Sequence, residues 1–503
     1  MNEQLEKLPE LLTAHLQITI VALLIATAIS IPLGVAASRV PWLKSLALTT
    51  AGIIQTIPSL ALLAIMVPLL TAAGLQGIGF LPAFIGLTLY CLLPILMGTV
   101  TGISEVDPAM VEAARGVGMT PMQRLRLVEL PLSMPVIVSG LRTSTVWCVG
   151  MATLSTPVGA PSLGNYIFGG LQTRNFTAVL VGCVAAALLA QILDRLVQAL
   201  EVGTRTRRRG LVLGASTVLG VIVLYSGGSF AAASFEGDEN KVRIGAKTFT
   251  EQFILAEVFA NEVTAKTDLR PEVMPSLGST VAFDALQAGE IDLYVEYSGT
   301  VWATILDRTD VPEDRAAVMA ELHRALPEDY GITILAVLGF ENTYALAMPE
   351  PLAAQRNIER ISDLTRHAPD LDIGGDFEFF ERTEWESLVD TYGLAFSQER
   401  AMDAALMYQA AGQGTVDVIS AYSTDGRIAS FNLRVLEDDR GAIPPYDAIL
   451  LASQNFMTSR PELAARLRDY DGAISAERMR ELNARVDADG LTPSQAAAEF
   501  QLD

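Results

Sequence analysis

The chain has 503 residues, a mean hydropathy of +0.36 and a formal net charge of −22 from 57 acidic and 35 basic residues. Half of its residues are hydrophobic, which excludes a disordered chain, and the acidic balance argues against a nucleic-acid partner held through bulk charge. Three cysteines are too few for a disulfide framework, and three histidines without Cys or His at ligand spacing imply neither a metal nor a cofactor.

The charge is unevenly spread. Residues 1–235 hold 9 acids, 13 bases and all three cysteines, a net of +4, while residues 236–503 hold 48 acids and 22 bases, a net of −26. At roughly 150 residues per domain the length suits two to four domains, and the break in composition predicts two unlike parts.

In the first part, apolar runs recur at residues 16–36, 46–70, 78–100, 133–154, 176–200 and 211–225. Most reach the roughly 20 residues a helix needs to cross about 30 Å of hydrocarbon, so six membrane spans are predicted, with the lipid bilayer as a partner. A cleaved leader does not fit the first run, because Glu3, Glu6 and Glu10 outnumber Lys7 ahead of it. The basic residues fall in alternate loops: Arg39 and Lys44, then Arg115, Arg124 and Arg126, then Arg205, Arg207, Arg208 and Arg209. The intervening loops carry only Arg174. Positive loops stay cytoplasmic, so the amino terminus and everything after Tyr225 are expected outside. Pro32, Pro58, Pro68, Pro94 and Pro135 lie within the runs, as breakers do where neighbouring helices satisfy the freed backbone.

The long basic loop reads Glu112-Ala113-Ala114, three residues, Gly118, nine residues, Val128-Glu129-Leu130-Pro131. Asp107-Pro108 predicts a helix start, Ala113 and Ala114 keep one face small, and Gly118 ends the helix. The pattern resembles the E-A-A loop of ABC-importer permeases at every anchor. The resemblance implies that Glu112, Ala113, Ala114, Gly118, Leu130 and Pro131 couple the spans to a cytoplasmic ATPase. Residues 153–167, with Gly159 and Gly164, are similar to a Gly-rich segment of osmoprotectant permeases, although Pro161 and Ser162 replace its usual glycine pair.

Residues 226–240, with Gly227, Gly228 and Gly237, are predicted as a short flexible linker. Strand and helix then alternate: a strand at 242–245, a helix at 251–263 capped by Thr250, a strand at 272–274, a helix at 280–288 and a strand at 291–295. Repeated βα units imply open, mostly parallel sheets, and about 268 residues suffice for two lobes around a cleft. Tyrosines stand beside turns in Tyr297-Ser298-Gly299-Thr300, Asn342-Thr343-Tyr344, Ala421-Tyr422-Ser423 and Pro445-Tyr446-Asp447.

With Gly245-Ala246-Lys247-Thr248-Phe249-Thr250-Glu251-Gln252, these segments resemble the glycine betaine, choline and carnitine receptors of osmoprotectant ABC importers. The whole chain resembles a permease fused to its receptor, an arrangement known there and in ergothioneine transporters. The resemblance implies an α-helical type I importer permease followed by a two-lobed, type II periplasmic-binding-protein-like domain. It implies a cage of Tyr297, Tyr344, Tyr422 and Tyr446 around a trimethylammonium group, with Thr300 and Gln252 at the ligand's polar end. A quaternary ammonium donates no hydrogen bond, so rings recognise it by shape and quadrupole.

Gly245-Ala246-Lys247-Thr248 lacks the spacing of a phosphate loop, and no such loop occurs elsewhere, so the ATPase is expected to be a separate subunit and the chain not an enzyme. Asp376, Glu378, Glu381, Glu384 and Glu386 read as a charged exposed face. The expected organisation is a permease over 1–210, a sixth span and linker over 211–240, and an extracytoplasmic receptor over 241–503. It would work as a homodimer with two ATPase copies in a bacterial inner membrane, importing quaternary ammonium compounds. A sensing receptor without transport is the alternative from another class.

Overall fold

The computed structural model describes residues 2–173, 175–235, 240–308, 315–500 and 502; Arg174 and linker residues 236–239 lie outside the described residues. The chain divides into two compact units, one of residues 1–168 and 177–238, the other of residues 169–176 and 239–503.

The first unit is helical: α1 (Asn2–Ala37), α2 (Pro41–Thr56), α3 (Ser59–Ala72), α4 (Phe80–Ser104), α5 (Pro108–Gly116), α6 (Pro121–Arg124), α7 (Leu130–Ala152), α8 (Gly164–Gln172), α9 (Phe176–Arg205) and α10 (Arg209–Phe235). Among the described residues, five helices are long and apolar enough to cross a membrane, and α2 with α3 makes a sixth candidate bent by 100°. Residues 46–70, expected as one span, therefore divide at Ile57-Pro58. Proline pushes the residue before it out of the helical region, and Ile57 is extended, with φ −71° and ψ 128°. The last span also differs from expectation. Its helix runs on to Phe235 through Gly227 and Gly228, so residues 226–235 are helix rather than flexible linker.

The bundle closes where small residues let backbones meet. A Cβ on Gly140 of α7 would lie 2.4 Å from the Pro94 carbonyl oxygen of α4, a contact membrane helices make through glycine and alanine. On the other face of α7, Arg142 grips Asp194 of α9 through Nε at 2.6 Å and a second guanidinium nitrogen at 3.0 Å. Pairing of this kind is how a charge is kept within an apolar bundle.

The second unit has two five-stranded sheets. Its strands are β1 (Lys241–Lys247), β2 (Arg270–Leu277), β3 (Leu293–Tyr297), β4 (Ile332–Glu341), β5 (Tyr344–Pro349), β6 (Asp372–Gly375), β7 (Gln398–Ala401), β8 (Val418–Tyr422), β9 (Leu433–Val435) and β10 (Asp447–Ser453). The orders are β2-β1-β3-β10-β4 and β7-β6-β8-β5-β9. Each sheet is parallel at one side and antiparallel at the other, where β10 pairs with β3 and β4, and β5 pairs with β8 and β9. The chain passes between sheets twice, from β4 to β5 and from β9 to β10. This is the type II periplasmic-binding-protein fold. Helix α11 (Thr250–Lys266) covers the first sheet with Phe253, Ile254, Phe259 and Val263 buried. Thr250 does not cap it: Phe249 takes the cap position, and the Thr250 hydroxyl donates to Asp487 Oδ1 at 2.7 Å.

Candidate ligand site and coupling helix

Strand ends create the site. Tyr297 is the last residue of β3, Tyr344 the first of β5 and Tyr422 the last of β8, and Tyr446 directly precedes β10. Tyr344 and Tyr422 are register partners across the β5–β8 ladder, which brings cross-strand side chains together. Their ring centroids stand 5.1 Å apart. Tyr446 meets Tyr344 edge-on at 6.0 Å and 88°, and Phe249 stacks on Tyr422 at 5.7 Å and on Tyr297 at 6.1 Å. The four tyrosines and Thr300 line one cleft of about 140 Å³ between the sheets, together with Lys247, Phe249, Asn342, Asp376 and Arg382.

Local contacts fix each ring. A Cβ on Gly299 would stand 2.5 Å from the Tyr446 ring, so only glycine lets that ring lie against the β3 turn. The Ser298 hydroxyl donates to the Pro445 carbonyl oxygen at 2.9 Å and accepts from the Asp447 amide at 2.9 Å, clipping both sides of Tyr446. Tyr297 donates its phenol to Glu251 Oε1 at 2.6 Å, Tyr422 to Asp376 Oδ2 at 3.1 Å, and Tyr446 to Glu384 Oε1. Burial raises all four phenols above their usual range, so they remain protonated donors.

Gln252 is not among the cleft-lining side chains. Its amide nitrogen donates to the Val295 carbonyl at 2.9 Å and to Tyr297 Oη at 3.2 Å, while its oxygen accepts from the Lys247 amide at 3.3 Å. It stands behind Tyr297 and holds it. The acidic segment divides: Glu378, Glu381 and Glu386 are exposed, but Asp376 is 7% and Glu384 1% exposed, so the exposed-face expectation fails for those two. Burial raises the Asp376 carboxyl, and hydrogen bonds from the Glu378 amide oppose the shift.

Sequence reasoning missed the cations. Lys247 is paired with Glu296 and lies 4.9 Å from the Tyr297 ring centre. Arg382 is held by Glu378 at 2.6 Å and stands 5.6 Å from the Tyr344 ring centre. Its Nε is buried and has no hydrogen-bond partner among the described residues. Lys247 sits in the segment weighed as a phosphate loop, and Arg382 closes the acidic-aromatic segment, so both were visible but carried no positional signal.

In the first unit, Asp107 accepts from the Ala109 amide at 2.8 Å and starts α5. Gly118, at φ +82°, turns the chain out of it, with its amide on the Arg115 carbonyl and the Met119 amide on that of Ala114. Ala114 faces inward, while Glu112 and Ala113 are exposed beside exposed Met110, Val117, Met122 and Leu127. Behind this helix, Glu129 is 2% exposed and binds Arg39 and Arg124, and a π-helical turn at Leu125–Glu129 leads into Leu130 and Pro131.

A two-lobed binding protein following a helical membrane unit is the class these features define. Residues 240–501 match the family described as the substrate-binding domain of ABC-type glycine betaine transport systems, and residues 28–206 match the inner-membrane component of binding-protein-dependent transport systems. The chain belongs to the glycine betaine transport family, as a permease fused to its substrate-binding domain. It is 29% identical over 468 residues, 91% of this chain and 83% of the relative, to the ergothioneine transport permease/ergothioneine binding protein EgtU of Helicobacter pylori. It is 41% identical over 180 residues, 36% of this chain and 80% of the relative, to the choline transport system permease protein OpuBB of Bacillus subtilis. The carnitine transport binding protein OpuCC of Listeria monocytogenes is 30% identical over 288 residues, 56% of this chain and 93% of the relative. The chain is thus a component of an osmoprotectant-type ABC importer of the inner membrane, with its binding domain facing outward, and a transporter rather than an enzyme.

Proposed function

We propose that the chain binds a small betaine through the four tyrosines and Arg382 and passes it through its own membrane unit. The observation that carries this reading is the ring geometry: Tyr422 and Tyr446 flank Tyr344 at 5.1 and 6.0 Å in one cleft. A cation among these rings gains roughly 0.5–2 kcal/mol per ring and competes with no hydrogen-bond donor. Arg382, which lines the same cleft, supplies guanidinium donors for a carboxylate, and charge-assisted bonds are the strong ones. A guanidinium beside the rings gives a zwitterion's carboxylate a partner that choline cannot use.

Energy enters from outside the chain. Helix α5 offers the exposed Met110 and Val117 to a cytoplasmic ATPase, and the ionic tie from Glu129 to Arg39 carries its movement to the first span. Each chain has one such helix, so two chains with two ATPase copies make the working transporter. Ergothioneine is the second reading, favoured by the relative matched along both units and described by that name. A sensor without transport would leave α5 and its apolar surface without a task. Titration calorimetry of the full chain in lipid nanodiscs against glycine betaine, carnitine, choline, proline betaine and ergothioneine tests the reading. Binding of none of them refutes it.

A further inference from the structure

Three of the four cage tyrosines share a feature that a cage of neutral rings does not need. Each gives its phenolic hydrogen to a carboxylate that is almost wholly buried: Tyr297 to Glu251 (2% exposed), Tyr422 to Asp376 (7%) and Tyr446 to Glu384 (1%). The three carboxylates come from separate places in the chain: α11, the turn after β6, and the helix Thr383–Tyr392.

The contacts around Glu251 suit its ionised form. Its two oxygens face four donors: Tyr297 Oη at 2.6 Å, Asn342 Nδ2 at 3.0 Å, Thr424 Oγ1 at 2.5 Å and Asn483 Nδ2 at 3.0 Å. An ionised carboxylate is acceptor-only and can accept from all four. Asp376 is similar, with Oδ1 accepting from the Glu378 and Phe379 amides at 2.9 and 3.1 Å and Oδ2 from Tyr422.

We infer that Glu251, Asp376 and Glu384 are positioning residues that set the site's preference for a quaternary ammonium over an uncharged group of the same shape. The inference rests on the proposed betaine reading. Each carboxylate acts in two ways. It fixes the rotation of its phenol and hence the ring plane, and as an acceptor it draws the O–H proton outward and loads negative charge onto the ring. It also puts a negative charge just beyond the hydroxyl edge of the ring whose face meets the cation. At that separation, roughly 7–8 Å, and an effective dielectric near 20, one charge alters cation affinity by about tenfold or more. Cations stand close to the same rings: Arg382 is 5.6 Å from the Tyr344 ring and 3.9 Å from Glu384, and Lys247 is 4.9 Å from the Tyr297 ring. The site thus carries both signs of charge, as a zwitterion requires.

The test uses the full chain in nanodiscs with two probes of one shape, glycine betaine and its carbon isostere 3,3-dimethylbutyrate, in which the quaternary nitrogen is replaced by carbon. Glu384→Gln, Asp376→Asn and Glu251→Gln each retain an acceptor for the phenol while removing charge. Each is expected to weaken glycine betaine binding about tenfold and to leave 3,3-dimethylbutyrate binding unchanged or tighter. An equal loss for both probes makes the carboxylates structural only and overturns the inference, as does unchanged betaine affinity in all three variants. The wild-type chain with glycine betaine tests the underlying reading separately.

Discussion

Replacing Tyr344 with leucine takes one wall from the cage while filling most of its space. Tyr344 is 5% exposed, with Tyr422 at 5.1 Å on one side and Tyr446 perpendicular at 6.0 Å on the other. For a cation seated against these rings, one ring is worth up to about 2 kcal/mol. Leucine keeps apolar contact but has no quadrupole, so the glycine betaine Kd should rise about 30-fold. Tyr344→Phe keeps the quadrupole and loses only the hydroxyl. A hydroxyl contact is worth about 1 kcal/mol at most, so this change should cost about fivefold or less. The order, a large loss in leucine and a small one in phenylalanine, is the signature of a cation–π wall. Calorimetry on the full chain measures both, with a thermal melt to show each variant folded. A leucine variant binding within threefold of wild type, or a phenylalanine variant falling as far as leucine, refutes the reasoning.

Other outcomes follow from the same geometry. Arg382→Gln should weaken glycine betaine and carnitine by 1.5–3 kcal/mol, about 10- to 150-fold, yet leave choline, which has no carboxylate, unchanged or tighter; an equal loss for choline contradicts the assignment of Arg382 to the anionic end. Gly118→Val puts a β-branched residue at φ +82°, at about 1–2 kcal/mol of strain; ATP-driven uptake should fall while ligand affinity stays the same, and unchanged uptake removes α5 from the coupling path. Burial holds Asp376 and Glu251 above the usual carboxylate range. Because the cation favours their ionised forms, the glycine betaine Kd should rise as pH falls, starting at a higher pH than an exposed carboxylate titrates; a Kd flat to pH 4 contradicts this.

Two kinds of information were legible in the sequence. Apolar runs and alternating basic loops depend only on local composition, and they identify the membrane helices. The turn at Gly118 depends on local chemistry, and it lies where its spacing puts it. What failed depended on partners distant in sequence. Ile57-Pro58 bends by 100° rather than kinks, and proline alone does not set the angle. Gly227 and Gly228 read as linker, yet their neighbours sustain a helix to Phe235. In the receptor, the tyrosines were visible because each stands beside a turn in a recognisable motif. Lys247 and Arg382 were not, because a charged side chain shows its direction only when the sheets are assembled. Asp376 and Glu384 looked like solvated acids for the same reason: their burial follows from phenols 46 and 62 residues away in the chain.

The most direct measurement is uptake of radiolabelled glycine betaine into proteoliposomes holding this chain and a cognate cytoplasmic ABC ATPase, with ATP inside or absent, on the ATPase-facing side. Accumulation that requires ATP, and that Tyr344→Leu and Gly118→Val each lower by different routes, one through binding and one through coupling, is the predicted result. Binding without any ATP-dependent accumulation would make the chain a receptor alone and contradict the account.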